Sequence, residues 1–545
     1  MHVEKQPYPV RNDRVPNAVL IAEFTLCSMV NLLVEKVRQH PVIRSSVGII
    51  VVTMGVKMLG YAEKMVLAYY FGTHYQVDVY NLVIAIVLSV FIFFREIIEP
   101  GFLTSFIRAI REDNPAEAWS LFNTVGRYLL LITLGLTVLV FFFPEKVIDV
   151  FAPGFTGEKR ALSVQVIRVA FPACIFLVLS ALTNITLNSL KKFALPASAD
   201  LAFKAAVLGA LFLFYKYWGL YAAIAGVLAG AFFKLLIHLL ALRKHLLFRK
   251  VPPVQPVYLR NAWQLTWPLL IGVSFSQLSA LADNLFASYL QEGAISALSY
   301  ARKVVDLPIL VFPYILSIVV FPYFSELALA RDHEKQGALL TQSLAWITLL
   351  FLPLSIFFFT FSLDIIEVMF MRGAFTQDSA ALTAKPLAFY ALGMVFFALE
   401  TVLVIFYYAN SNTRTPIFIG ILCAVGDVLL SYTLINTIGY AGIALALAVS
   451  KAAKVIILLI LLKGRIAIRY RSIWAFGCRV AVACVALALT LLAVNQLRQG
   501  VLDASTLEKA LFLTAAFCSG GLVYALTLFV LKLDRSLPAP KAVLK

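Results

Sequence analysis

The sequence predicts an all-α polytopic membrane protein: about fourteen transmembrane helices, arranged as two six-helix lobes around a central cavity plus two C-terminal helices. Three observations predict it. Of the 545 residues, 61% are hydrophobic and 14% charged, with a mean hydropathy of +0.89, which is more apolar surface than a soluble fold can hide. Apolar runs long enough to cross a bilayer core of roughly 30 Å recur along the chain. The basic residues gather in alternate loops.

The elements follow in order. Residues 1–45 begin polar (HVEKQPYPVRNDRVPN) and continue as an apolar run interrupted by Glu23, then the basic stretch EKVRQHPVIR. The run ends in bulky residues rather than a small-residue cleavage site, so it reads as an N-terminal cytoplasmic or interfacial segment. Spans are expected near 47–72, 79–108, 120–143, 162–190, 197–217 and 219–242, forming an N-lobe over 46–242. A basic cytoplasmic linker, 243–261, follows. Spans near 262–290, 293–325, 340–361, 380–409, 416–436 and 438–463 form a C-lobe over 262–463. Residues 464–545 hold two further spans, 474–496 and 507–532, and a cytoplasmic tail.

The lobes echo each other. Leu195-Pro196 opens the fifth span, and Tyr217-Trp218-Gly219-Leu220 leads to a small-residue helix; Thr415-Pro416 and Ile438-Gly439-Tyr440-Ala441-Gly442 repeat the pattern. Such a repeat implies two lobes facing one another across a substrate path.

Lys and Arg exceed Asp and Glu by 46 to 29, a net +17. The excess sits at Arg243, Lys244, Arg249, Lys250 and Arg260, at Lys463, Arg465, Arg469 and Arg471, and in shorter loops at Arg108, Arg111, Lys191, Lys192, Arg331, Lys335 and Arg414. The intervening loops carry few. By the positive-inside rule both termini are cytoplasmic. Orientation and anionic lipid account for the charge without nucleic acid. The six cysteines are scattered, with no CxxC or Cys/His cluster, so they read as small apolar fillers, and no metal site is expected.

No P-loop, HExxH, GxSxG or nucleotide fingerprint is present, and the loops are too short for a nucleotide domain. That excludes the familiar enzyme classes and ATP-driven pumps and leaves a secondary transporter, with no cofactor. Intramembrane charges then carry the functional signal, since burying them without a partner is costly. In the first span stand Lys57, Glu63 and Lys64. In the second, after sixteen uncharged residues, come Arg95, Glu96 and Glu99 before Pro100-Gly101; Arg95 and Glu99 are one turn apart and can pair. In the eighth stand Arg302, Lys303 and Asp306, before Pro308. At roughly 1.5 Å per residue, Lys57, Arg95 and Lys303 fall at comparable depths on helices of both lobes. Together with Arg302 they form a candidate cationic cavity for a pyrophosphate or other multi-anionic headgroup. The same residues, with Glu63, Lys64, Glu96, Glu99 and Asp306, can instead form lobe-to-lobe ion pairs that gate access; the two roles are compatible. Asp283, Asp427 and Glu400 are the other deep acids of the second lobe. They are candidates for coupling to Na⁺ or H⁺, or for pairing with Lys451 or Lys454. Coupling to membrane potential is the remaining option. Asp200 and Lys204, i and i+4, are expected to satisfy each other.

Several stretches carry a resemblance. ASYLQEGAISALSYARKVVDLPILVFPYILSIVVFPYFSELA (287–328), FAPGF (151–155), RVAFP (168–172), LNSLKKFALPA (187–197), MFMRGAFTQDSAALTAKPLAFYALGMVF (369–396) and YYANSNTRTP (407–416) resemble blocks of the MurJ/MviN lipid II flippases. Those belong to the multidrug/oligosaccharidyl-lipid/polysaccharide exporter superfamily. The likeness runs from about residue 50 to the end. It implies fourteen helices in two lobes around a cationic cavity, and transport of lipid-linked peptidoglycan precursor across a bacterial inner membrane. By position the family's cavity arginines fall at Lys57, Glu63, Arg95 and Lys303, and Asp78 matches an aspartate at the outer end. Two departures stand out. Glu63-Lys64 replaces an Arg–acid order, a swapped pair able to preserve a contact. EPGFLTSFIRAI only loosely matches the family's first-lobe motif.

The expected function is therefore flipping of an undecaprenyl-diphosphate-linked glycan, lipid II, by alternating access. Membrane lipids are expected around it, cell-wall synthesis proteins are candidate partners, and nucleic acid is not. A flippase for another undecaprenyl-linked unit, such as O-antigen or exopolysaccharide, is the alternative. A non-transporting envelope scaffold is a further one, in which the cavity charges would be dispensable.

Overall fold

Apolar helices dominate the computed structural model, which describes residues 41–112, 114–244, 281–463, 470–496 and 505–531, with single helical positions between 260 and 280. The chain divides into residues 1–55 and a second unit, Val56–Lys545, which holds every candidate site residue. The segment 1–40, most of the basic linker and most of the expected span 262–290 lie outside the described residues.

The first helices in chain order are α1 (Pro41–Phe71), α2 (Tyr75–Arg111), α3 (Pro115–Phe142), the short α4 (Pro144–Phe151), α5 (Gly157–Ala170), α6 (Ala173–Ser189), α7 (Ala194–Trp218) and α8 (Leu220–Leu242). After a helical stretch at 281–288 come α9 (Ala294–Leu329), α10 (His333–Thr360), the short α11 (Ser362–Phe370), α12 (Gln377–Ala409), α13 (Arg414–Ile438), α14 (Ala441–Leu462), α15 (Tyr470–Gln496) and α16 (Thr506–Val530). Among the described residues ten helices are long and apolar enough to cross a membrane, or eleven if α5 and α6 form one span. The expected span 162–190 is thus a correction: it is two segments bent by 43°. The break falls at Phe171-Pro172, where proline lacks the N–H that a continuous helix needs.

Packing follows the sequence order. α2 packs on α3, α5 and α6, while α8 packs on α6 and α7. In the second half α12 is central, packing on α9, α10, α11 and α14, with α13 on α14. The paired α15 and α16 lie against α10 and α11. α2 and α9 join the two bundles. Large apolar side chains on the outer faces stay uncovered, among them Phe212, Leu213, Leu429 and Leu489, as suits a protein whose solvent is lipid rather than water.

The repeat expected from sequence is visible in the backbone. α7 and α13 are each 25 residues long, and each ends on a glycine with positive φ, Gly219 (51°) and Gly439 (75°). An L side chain there would be strained. The small-residue helices α8 and α14 follow each turn and fold back on α7 and α13.

Candidate functional site

The charged residues of α1 and α2 do not scatter; each finds a place by helical register. Glu63 is buried, 4% exposed. Its Oε1 accepts from the Tyr80 hydroxyl at 2.8 Å and its Oε2 lies 2.6 Å from the Lys204 ammonium of α7. Lys64, the next residue on α1, donates to Asn81 Oδ1 at 2.5 Å and lies 5.7 Å from the centre of the Tyr80 ring. Glu63 and Lys64 thus engage adjacent residues of α2, and their charges act on each other. Lys204 does not pair with Asp200 as expected. Asp200 instead takes Lys234 of α8 at 2.7 Å, because positions 200 and 204 face different neighbours.

Lys303 of α9 is part-buried, and the charges of Asp306, Lys204, Lys57 and Glu63 act on it. Lys57 is exposed. Lys57, Lys64, Lys204 and Lys303 are thus electrostatically linked across both bundles, with Glu63 and Asp306 as the acids among them. Lys204 is the member that sequence reasoning missed; its apparent i,i+4 partner hid it.

Arg95 is placed apart. It sits about 26 Å along α2 from Asp78, whereas Lys303 sits about 10 Å along α9 from Ser296 at the same end, at 1.5 Å per residue. The expectation of comparable depths is corrected for Lys303 alone: Lys57, about 21 Å along α1 from Phe71 at the same end, keeps a depth comparable to that of Arg95, whereas Lys303 lies nearer the Asp78 end. Arg95 pairs loosely with Glu99, 3.7 Å away, both half-exposed, and Glu96 beside them is exposed too. Arg302 also leaves the cluster. Its guanidinium pairs with Asp306 at 3.0 Å and stacks over Phe397, 4.3 Å from the ring centre. One helix position separates it from Lys303, and a step of roughly 100° around α9 turns it into the second bundle.

There Arg302 faces acids. Asp283 and Asp427 act on one another, and Arg302 acts on both. Each has an Oδ1 without a hydrogen-bond partner, as does one guanidinium nitrogen of Arg302. Glu400 stands outside this group, held by Lys451 at 2.7 Å and Lys454 at 2.6 Å. No group of three or more His, Cys, Asp and Glu suited to a metal occurs among the described residues.

Asp78 marks the most completely bonded point between the bundles. It is fully buried. Its oxygens accept from the backbone N–H of Gly293 (2.8 Å) and of Ser296 (2.8 Å) and from the Ser296 hydroxyl, and from Lys159 Nζ at 2.7 Å. Asp78 of α2 therefore caps the N-terminus of α9, where unpaired N–H groups and the helix dipole favour an anion. Around it Tyr300 donates to the Gly72 carbonyl (3.0 Å), Ala374 N–H to the Tyr69 carbonyl (2.8 Å), and Gly154 N–H to Ser288 Oγ (3.2 Å). Backbones touch closely here: a Cβ on Gly373, whose φ is +62°, would stand 2.4 Å from the Tyr69 carbonyl oxygen. This end is latched shut. A cavity of about 820 Å³ opens beside the latch, lined by Tyr70, His74, Tyr215, Glu292 and Asp378 among others.

A family model described as lipid II flippase MurJ matches residues 67–510. The chain belongs to the MurJ family. MurJ-family relatives include the probable lipid II flippase MurJ of Borreliella burgdorferi, 28% identical over 425 residues, covering 74% of this chain and 80% of that protein. The probable lipid II flippase MurJ of Thermotoga maritima is 28% identical over 410 residues, covering 75% and 82%. Among solved structures, a lipid II flippase MurJ in an inward closed conformation superposes with a TM-score of 0.72 at 22% identity, covering 88% of this chain and 99% of that one. An inward-facing multidrug resistance transporter of the MATE family gives 0.65 at 12% identity, covering 76% and 97%. These likenesses establish the MurJ-type fold, an all-helical multi-pass membrane protein.

Proposed function

We propose that this MurJ-family chain flips lipid II, the lipid-linked peptidoglycan precursor, from the cytoplasmic to the periplasmic leaflet of a bacterial inner membrane by alternating access. The observation that carries the reading is the lysine cluster shared by both bundles immediately beneath a latched end. Four lysines against two acids, Glu63 and an Asp306 already paired with Arg302, suit a diphosphate that must leave water. The latch keeps that anion from passing until the bundles rock. The basic ends of the helices, at Arg108, Arg111, Lys191, Lys192, Arg331, Lys335 and Arg414, lie opposite the Asp78 end and support cytoplasmic termini with the latch facing the periplasm. Arg95, half-exposed beyond the cluster, suits a first contact for an entering headgroup.

The N-lobe then corresponds to 46–242, the linker to 243–261 and the C-lobe to 262–463, with 464–545 alongside the lipid tail. Asp283 and Asp427, two neighbouring acids with unpartnered oxygens, are suited to take up Na⁺ or H⁺, and Glu400 holds Lys451 in place near them. Membrane lipids surround the path, and cell-wall synthesis proteins are the partners a periplasmic product implies.

Complementation of a bacterium depleted of its own lipid II flippase tests the reading, with wild type beside Arg95→Ala and Lys303→Ala. Rescue by wild type and failure of both well-expressed variants is the expected result. Rescue by all three would keep the substrate and remove these two contacts. No rescue by wild type present in the membrane would transfer the function to another lipid-linked glycan.

A further inference from the structure

We propose that Glu63 is a placeholder anion that holds the Lys204 ammonium in the cavity until a phosphate displaces it, so that Lys204 becomes a direct contact for the substrate diphosphate. The inference rests on the anion-binding reading above and assigns a residue and an exchange step to it.

The geometry is that of an exchange site. The Glu63 side chain is 6% exposed and that of Lys204 is 26% exposed, so the acid lies behind and the ammonium in front. An arriving anion meets the lysine first. Glu63 does not depend on Lys204 alone: the buried Tyr80 hydroxyl donates to its other oxygen, which keeps the carboxylate in place when the lysine turns away. Asp306, the other acid acting on Lys303, is engaged by Arg302 and cannot serve the same purpose.

The charges explain why a placeholder is needed. Lys57, Lys64, Lys204 and Lys303 without a counter-charge would repel one another in a poorly polar cavity. Glu63, beside an Asp306 that is shared with Arg302, relieves the empty state without neutralising it. A diphosphate diester brings about two further negative charges, leaving the loaded site close to balance. Lysine also suits the exchange better than arginine. Its ammonium is a point charge on a flexible stem with three rotatable donors, whereas a guanidinium in a bidentate carboxylate pair is fixed by its plane.

The placeholder predicts effects of opposite sign at its two partners. Inorganic pyrophosphate is titrated into the purified full-length chain in lipid nanodiscs, with sulfate as the control anion, for wild type, Glu63→Gln, Lys204→Gln and the double variant. Glu63→Gln keeps the shape and the Tyr80 hydrogen bond but frees the lysine; pyrophosphate is expected to bind it several-fold more tightly. Lys204→Gln is expected to bind about tenfold more weakly, the scale of one charge-assisted hydrogen bond. The double variant should follow Lys204→Gln. Transport by Glu63→Gln should slow even as binding tightens, because a ground state held too well is released slowly. If Glu63→Gln weakens binding as Lys204→Gln does, the pair is a structural bridge and the proposal is wrong. If wild type binds pyrophosphate but neither substitution changes it, the proposal alone fails. If wild type prefers pyrophosphate no more than sulfate, the anion-binding reading fails and takes the proposal with it.

Discussion

At the scale of single residues, Asp78 shows how one carboxylate can hold two bundles together. It satisfies two backbone N–H groups, a hydroxyl and an ammonium from a fully buried position. Removing it leaves Lys159 and the start of α9 without their anion, a loss of about 3 kcal/mol or more for a buried, fully bonded charge. Asp78→Ala should therefore shift the population away from the latched state by roughly a hundredfold. Spin labels at Tyr217 and Tyr289, both exposed near this end, should then report a longer distance than in wild type; an unchanged distance would remove Asp78 from the gate. Some of this scale was legible in the sequence and some was not. The Arg95–Glu99 pair follows from i,i+4 spacing alone and is present at 3.7 Å. Lys204 has the same spacing from Asp200 and pairs elsewhere, since a stronger partner on another helix overrides a modest within-helix preference. Which helix faces which is tertiary information, so the lysine cluster could not be assembled from one chain's spacing.

At the scale of elements, the sequence was most informative where backbone chemistry is local. Gly219 and Gly439 sit at matching ends of α7 and α13, and both take the positive φ that their type permits. It was least informative where an apolar run conceals a break, as at Phe171-Pro172 between α5 and α6, because hydropathy is blind to a 43° bend. The loop from α11 to α12 carries its own prediction. Gly373 lies against the Tyr69 carbonyl, and Gly373→Ala would add both a clash and a positive-φ penalty of about 1–2 kcal/mol. Since the clash with Tyr69, unlike the φ penalty, is relieved once the bundles separate at this end, the variant should open the latch. Labelling of Ser299→Cys, in a background without the native cysteines, by a membrane-impermeant thiol reagent added on the side that the Asp78 end faces should quicken several-fold. Equal labelling rates would mean that the close approach does not restrain the gate.

At the scale of the whole molecule, two groups of deep charges stand side by side. The lysines gather around Glu63, while Asp283 and Asp427 stand beside Arg302, and Asp306, paired with Arg302 and acting on Lys303, lies between the two groups. The composition pointed to a membrane transporter, and the deep charges pointed to both groups, but their separation emerges only from folding Arg302 and Lys303 to different sides of α9. That separation predicts separable defects. In proteoliposomes, Asp427→Asn should leave pyrophosphate binding within about twofold of wild type and abolish the response of flipping to an imposed Na⁺ or H⁺ gradient. Loss of binding together with the gradient response would merge the two sites into one.

The backbone contact at Gly373 has a consequence for the cell rather than for the cargo. A path wide enough for a glycan headgroup is wide enough for ions and water, and a membrane at 100 mV drives each elementary charge with about 2.3 kcal/mol. Side chains meeting across such a path would fluctuate and admit a file of water. Main chain packed on main chain, with no Cβ between Gly373 and the Tyr69 carbonyl, leaves no room for one. A path closed by such contacts would act as an insulator, letting a host keep many copies in its membrane without a leak of its energy supply.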